Sequence, residues 1–164
     1  MQRDVRFATP ADAGALVRLR AAMFTAMGQE DAGPGAPWRA AAERWFAEVL
    51  PTGQVLVAVS DVPGAGPVAS AMAVLEQRAP SPTNPAGRAA HLSQVSTLPE
   101  HRRQGRARAC LEALLGELDV RGVARTDLFA TGDGEALYRS LGFRTSPYPA
   151  LRRPLVDGGV VPPR

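Results

Sequence analysis

The sequence has no lysine and only one cysteine, Cys110. One thiol cannot form an internal disulfide, so a reducing, cytoplasmic setting is expected. All 19 basic residues are arginines against 16 acidic ones, which leaves a net charge of +3 despite an isoelectric point near 9.9. Arginine stays protonated far above neutral pH, so the high isoelectric point implies no strong field at pH 7. So small an excess does not point to nucleic acid as a partner. Two histidines and one cysteine, scattered along the chain, do not make a metal site. No apolar run approaches the roughly 18 residues that span a bilayer, and Met1–Phe7 lacks the apolar stretch of a secretory leader. Neither membrane nor export is expected.

What is present fits one ordinary domain: 164 residues, 45% hydrophobic and 21% charged. Val5–Ala8 is β-compatible and closed by Thr9-Pro10. Leu16, Leu19, Met23 and Met27 recur at helical spacing over Ala11–Met27, with Asp12 placed to accept backbone N–H bonds near the start. A Gly- and Pro-rich loop, Gly28–Pro37, precedes a second helix over Trp38–Leu50. Val55–Ser60 and Val68–Leu75 form a hairpin about Asp61–Gly66, and Ala79–Arg88 is a proline-rich surface loop. His91–Thr97 is a fourth strand. A helix begins near Gly105, with Ala107, Leu111, Leu114, Leu115 and Leu118 on one face and Gly122 at its C-terminal cap. Cys110 lies on its flank as a small apolar filler. Thr126–Ala130 is a fifth strand, Glu135–Leu141 a short helix, and Phe143–Leu155 a last strand interrupted by Pro147 and Pro149. Residues 1–155 thus read as a single mixed-sheet domain and Val156–Arg164 as a tail.

The most informative stretch is Arg102-Arg103-Gln104-Gly105-Arg106-Ala107-Arg108, between a strand and a helix. A helix N-terminus leaves backbone N–H groups unpaired, and these donors and the helix dipole stabilise an anion there. Gly105 permits a tight turn and a close approach to phosphate, and Ala107 keeps the next turn small. The four arginines add cationic forks suited to phosphate. A Walker A loop is excluded because it requires lysine, and a dinucleotide fingerprint because only one glycine is present.

Here the sequence resembles the GNAT superfamily of acyl-CoA-dependent N-acyltransferases, whose Q/R-x-x-G-x-G/A signature is matched by Arg102, Gly105 and Ala107. A second block, Leu128 to Phe143, contains Leu-Tyr-Arg-Ser-Leu-Gly-Phe and follows at the family's distance. The resemblance covers roughly residues 3–155. It implies a mixed, mostly antiparallel sheet of about six to seven strands with about four helices, strands four and five splaying apart at the cofactor site. It also implies acetyl-CoA as cofactor, held by main-chain groups of Val95, Ser96 and Thr97, by the turn Arg102–Arg108 and by Thr131. Arg106 stands where the family usually has an aliphatic residue, which would turn it outward to solvent or phosphate.

The chemistry so implied is transfer of an acetyl group to a primary amine of a small molecule or peptide by direct attack. Tyr138 matches the family's tyrosine, and a phenol of pKa near 10 suits protonation of a thiolate. His91 is close to the strand-four position of the family's base, and Glu76, Glu100 and water are its rivals. Strand alternation groups His91, Ser93, Val95 and Thr97 on one face. Met23, Phe24, Met27 and Trp38 are candidates to line the acceptor pocket, and equally candidates for core. A homodimer is open. Rival readings are an inactive acyl-CoA-binding regulatory module, a protein N-terminal acetyltransferase, and a nucleic-acid binder using the arginines of 102–108.

Overall fold

The computed structural model describes residues 5–29, 33–153, 155–156 and 159–160. In chain order the elements are β1 (Val5–Phe7), α1 (Ala13–Ala26), α2 (Pro37–Val49), β2 (Val55–Val62), β3 (Gly66–Gln77), β4 (Arg88–Thr97), α3 (Arg106–Val120), β5 (Arg125–Leu128), α4 (Gly132–Ser140), β6 (Leu155–Val156) and β7 (Gly159–Val160). They fall into two compact units, Met1–Thr131 and Gly132–Arg164. In the first, five strands form a sheet in the order β1-β2-β3-β4-β5, antiparallel except for the parallel β4–β5 pair. The second holds α4 and the short antiparallel β6–β7 pair. Most of the expected tail, residues 157–158 and 161–164, lies outside the described residues.

The sheet is covered on both faces. Val55, Val57 and Val59 of β2 and Met72 of β3 pack against Leu16, Val17 and Leu19 of α1 and Phe46 of α2. Alternation turns Ala58, Ala69, Ala71 and Ala73, all fully buried, to the other face. Their small side chains admit α3, which packs on β2 and β3 and buries Cys110, Leu111, Leu114 and Leu118. Both ends of α3 depend on glycine in the left-handed region. Gly105 (φ 71°) is the N-cap. Gly122 (φ 68°) follows the C-terminus, where the Val123 amide donates to the Leu118 carbonyl at 3.0 Å.

Two expectations are corrected. Among the described residues 143–153 there is no strand, so the main sheet has five strands and not six or seven. Pro147 and Pro149 lack ladder donors and constrain the residues before them, which suits an extended connection better than a paired strand. The second correction is in β4, where Ser93 pairs with Met72 but Ser96 pairs with Ser70. Gln94 and Val95 therefore stand opposite the single residue Ala71, a β-bulge, and Gln94 takes a positive φ of 46°. The bulge reverses alternation. His91 and Ser93 share the face of Val74 and Met72, toward α1 and α2, while Thr97 shares the face of Ala69, toward α3. They do not form one row.

Asp12 acts upstream of α1 rather than along it. Its carboxylate accepts two hydrogen bonds of 2.8 Å from the Arg6 guanidinium and one of 2.8 Å from the Thr9 amide. Chiefly through the Arg6 bonds, and despite burial, its pKa is lowered from 3.8 to about 2. A depressed carboxylate pKa adds stability that is complete above the unfolded value and lost as pH falls through the folded one. Allowing for partial exposure of Arg6, Asp12→Asn should destabilise the fold by about 1–2 kcal/mol at pH 7. Denaturant titrations should show that difference shrinking between about pH 4 and pH 2. A gap unchanged at the acid end would contradict this role for the pair.

Candidate active site

The turn between β4 and α3 carries two left-handed residues, Arg103 (φ 61°) and Gly105 (φ 71°). Alternating hand along a turn gathers successive backbone N–H groups into an anion-binding concavity, continued here by the opening amides of α3. The first intrahelical bond of α3 runs from the Ala109 amide to the Gly105 carbonyl at 3.1 Å, so the Arg106 and Ala107 amides precede the hydrogen-bonded ladder. Gly105 was legible as a turn residue. The matching conformation at Arg103 carries no glycine and has no signal in the sequence.

The four arginines of this turn have different surroundings. Arg106 turns inward, donating to the Ser60 hydroxyl at 3.0 Å, the Asp61 carbonyl at 3.3 Å and Gln104 Oε1 at 3.1 Å. The expected outward course of Arg106 is thus corrected: neutral acceptors on β2 receive its N–H donors where an aliphatic residue would simply pack. Arg108 pairs with Glu112 at 3.5 Å, one turn along α3. Arg102 donates from Nε to the Thr97 carbonyl at 3.2 Å, which ties the turn to the end of β4. Arg103 is exposed, as is Gln104.

β5 pairs with β4 only from Ala89 to Leu92. From Ser93 to Thr97, β4 continues with no strand beside it on that edge among the described residues, the open stretch expected where strands four and five part. Val95, Ser96 and Thr97 lie in this stretch, directly ahead of the turn. The Ser96 side chain is buried and donates to the Leu19 carbonyl at 2.8 Å, so only its main chain can face a ligand. Thr131 is exposed beyond β5.

His91 is half-buried on β4, its ring 5.3 Å from the exposed ring of Phe129. Of its rivals, Glu76 is paired with Arg78 at 2.6 Å and Glu100 is exposed in a short 3-10 turn. In the second unit, Tyr138 is half-buried on α4, and Phe143 meets it edge to face at 6.0 Å. Its carbonyl accepts the Leu141 and Phe143 amides, which fixes the end of the helix. Burial raises the phenol's pKa, so it is protonated at neutral pH. Cys110 is fully buried and its thiol is pushed up to about 12 by desolvation, too high for a nucleophile or acyl carrier.

Trp38 packs against the core and meets Phe24 edge to face at 5.5 Å, whereas Met23 is half-buried and Met27 exposed. Two residues missed in the sequence sit beside them. Gln94 is buried in the bulge, and its amide donates to the Leu16 carbonyl at 3.0 Å. Arg20 of α1 donates to Gln94 Oε1 at 3.2 Å. Little in the sequence signals Gln94, because β4 also carries His91, Ser93, Ser96 and Thr97. Two depressions of about 310 and 610 Å³ lie elsewhere, bordered by Leu50–Gly53 and by Arg88 and Ala89 at the start of β4. Neither includes a residue of the 93–108 stretch, so the candidate site is defined by backbone donors and an open strand edge.

The fold recurs in known proteins. Residues 4–146 match the family model described as an acetyltransferase (GNAT) domain. No curated protein matches the chain. Among solved structures, a predicted acetyltransferase with acetyl-CoA from Clostridium acetobutylicum is 24% identical with a TM-score of 0.78, covering 92% of this chain and 96% of that one. A GCN5-related N-acetyltransferase from Ralstonia eutropha is 26% identical with a TM-score of 0.74, covering 94% and 99%. Glucosamine-6-phosphate N-acetyltransferase from Arabidopsis thaliana shares the fold at 14% identity, with a TM-score of 0.69 over 93% and 98% of the chains. With the open β4 edge, the glycine-initiated α3 and a family match over most of its length, the chain belongs to the GNAT acetyltransferase family.

Proposed function

We propose that the protein is an N-acetyltransferase that moves the acetyl group of acetyl-CoA to a primary amine of a small molecule or peptide by direct attack. The observation that carries this is the turn with left-handed Arg103 and Gly105 at the start of α3, immediately beyond a stretch of β4 that β5 does not pair. A pyrophosphate fits the first feature and an extended, hydrogen-bonding arm the second. Acetyl-CoA supplies the acyl group as a thioester when bound. Main-chain groups of Val95, Ser96 and Thr97 hold the arm, and the amides of residues 103–108 the phosphates, with Arg103 and the free end of Arg102 adding charge. A β4 amide polarises the acyl carbonyl, the electrostatic contribution of most value in acyl transfer. Thr131 borders the cofactor. His91 takes the proton from the amine, directly or through water. Tyr138 gives a proton to the departing sulfur, its half-buried hydroxyl being held protonated by desolvation. Direct transfer is favoured because the sole cysteine is buried and unreactive. The test is mass spectrometry of an amine library incubated with acetyl-CoA and protein. Acetylated amine and free coenzyme A in equal amounts are expected, whereas cofactor binding without any product would support a regulatory module.

A further inference from the structure

Among the described residues, the charge on Arg20 has no carboxylate counterpart. Six other arginines, Arg6, Arg78, Arg108, Arg121, Arg125 and Arg139, pair with carboxylates. Arg20 is half-buried on α1, and no carboxylate among the described residues pairs with it. A cation withdrawn from water without an opposite charge is unfavourable, and an apolar side chain would pack at this position without that penalty. The guanidinium is nevertheless held in place. Its Cζ lies 4.8 Å from the centroid of the Phe24 ring, and Nη1 is fixed by Gln94, which is itself anchored to the Leu16 carbonyl. The bond to Gln94 uses one of five N–H donors. Desolvation lowers the Arg20 pKa from its usual value, in keeping with an uncompensated charge. Gln94 belongs to the bulge of β4, in the stretch beyond its pairing with β5.

We propose that Arg20 is the anion-recognition point of the acceptor side, so that the amine acetylated by this protein carries a carboxylate or phosphate group. The inference rests on the proposed transfer to amines and narrows its substrate class. A planar fork already oriented by Phe24 and Gln94 matches the paired oxygens of such a group and needs little further ordering on binding. An acceptor held there lies beside the β4 bulge, next to the main chain proposed to hold the thioester.

The experiment uses matched pairs: amino acids against their carboxamides, and glucosamine 6-phosphate against glucosamine. Binding is followed by thermal shift with coenzyme A present, and transfer by kcat/KM with acetyl-CoA. The anionic member of one pair type should bind about 10- to 100-fold more tightly, and the type that does so identifies carboxylate or phosphate. Arg20→Met should remove that discrimination and Arg20→Lys keep part of it, both with unchanged acetyl-CoA affinity. If Arg20→Met does not fold, Arg20→Gln serves in its place. Equal or absent binding of both members by the unaltered protein, or discrimination that survives loss of the cation, would overturn the proposal. Arg20-dependent binding of an anion without acetyl transfer would leave this site standing and remove the transfer reaction instead.

Discussion

Tyr138→Phe is expected to slow the chemical step of acetyl transfer by about 10²–10⁴-fold, the usual contribution of a positioned acid, with little change in acetyl-CoA affinity. The substitution keeps the ring that meets Phe143 and removes only the hydroxyl. Because the end of α4 is fixed by the Tyr138 carbonyl, which phenylalanine retains, the fold should tolerate the change. Single-turnover rates measured beside an acetyl-CoA titration separate the outcomes. A normal chemical rate would reduce Tyr138 to packing, and a lost affinity would make it a binding contact.

Gly105→Glu is expected to abolish acetyl-CoA binding. The positive φ of 71° disfavours any β-carbon by about 1–2 kcal/mol, and the new carboxylate would occupy an anion-binding concavity. For the unaltered protein, ligand at about 100 times its Kd stabilises the native state by about 2.7 kcal/mol, or about 5–10 °C in Tm for a chain of this size. Gly105→Ala controls for backbone strain, since it adds the β-carbon without the charge and should keep a reduced shift. A full shift in folded Gly105→Glu would remove this turn from the cofactor site.

Much of this was legible in the sequence because it depends on local rules. The apolar spacing of α1 and α3, the glycines at 105 and 122, and the strand–turn–helix order follow from short-range periodicity and backbone freedom. What was not legible depends on pairing between distant segments. The β4 bulge exists only relative to β3, so alternation along β4 alone put His91 and Thr97 on one face. Arg106 could not be placed inward without knowing that Ser60 and the Asp61 carbonyl would receive it. The expected strand over Phe143–Leu155 fails where Pro147 and Pro149 interrupt it, because a ladder needs donors that proline lacks. Arg20 was hidden for a similar reason, since an arginine on a helix is ordinarily solvated and only the position of Gln94 shows it turned inward.

The central claim, direct transfer from acetyl-CoA to an amine, is tested most directly with carbon-13-labelled acetyl-CoA in a single turnover. Mass spectra of both the intact protein and the small-molecule fraction are read at successive times. The chain has no lysine and its cysteine is buried, so adventitious labelling of the protein should be low. The predicted result is label appearing on the amine nitrogen as coenzyme A is released, with no labelled protein at any time. Label that first accumulates on the protein would contradict direct attack, and acetyl-CoA that stays bound and intact with every amine offered would contradict catalysis itself.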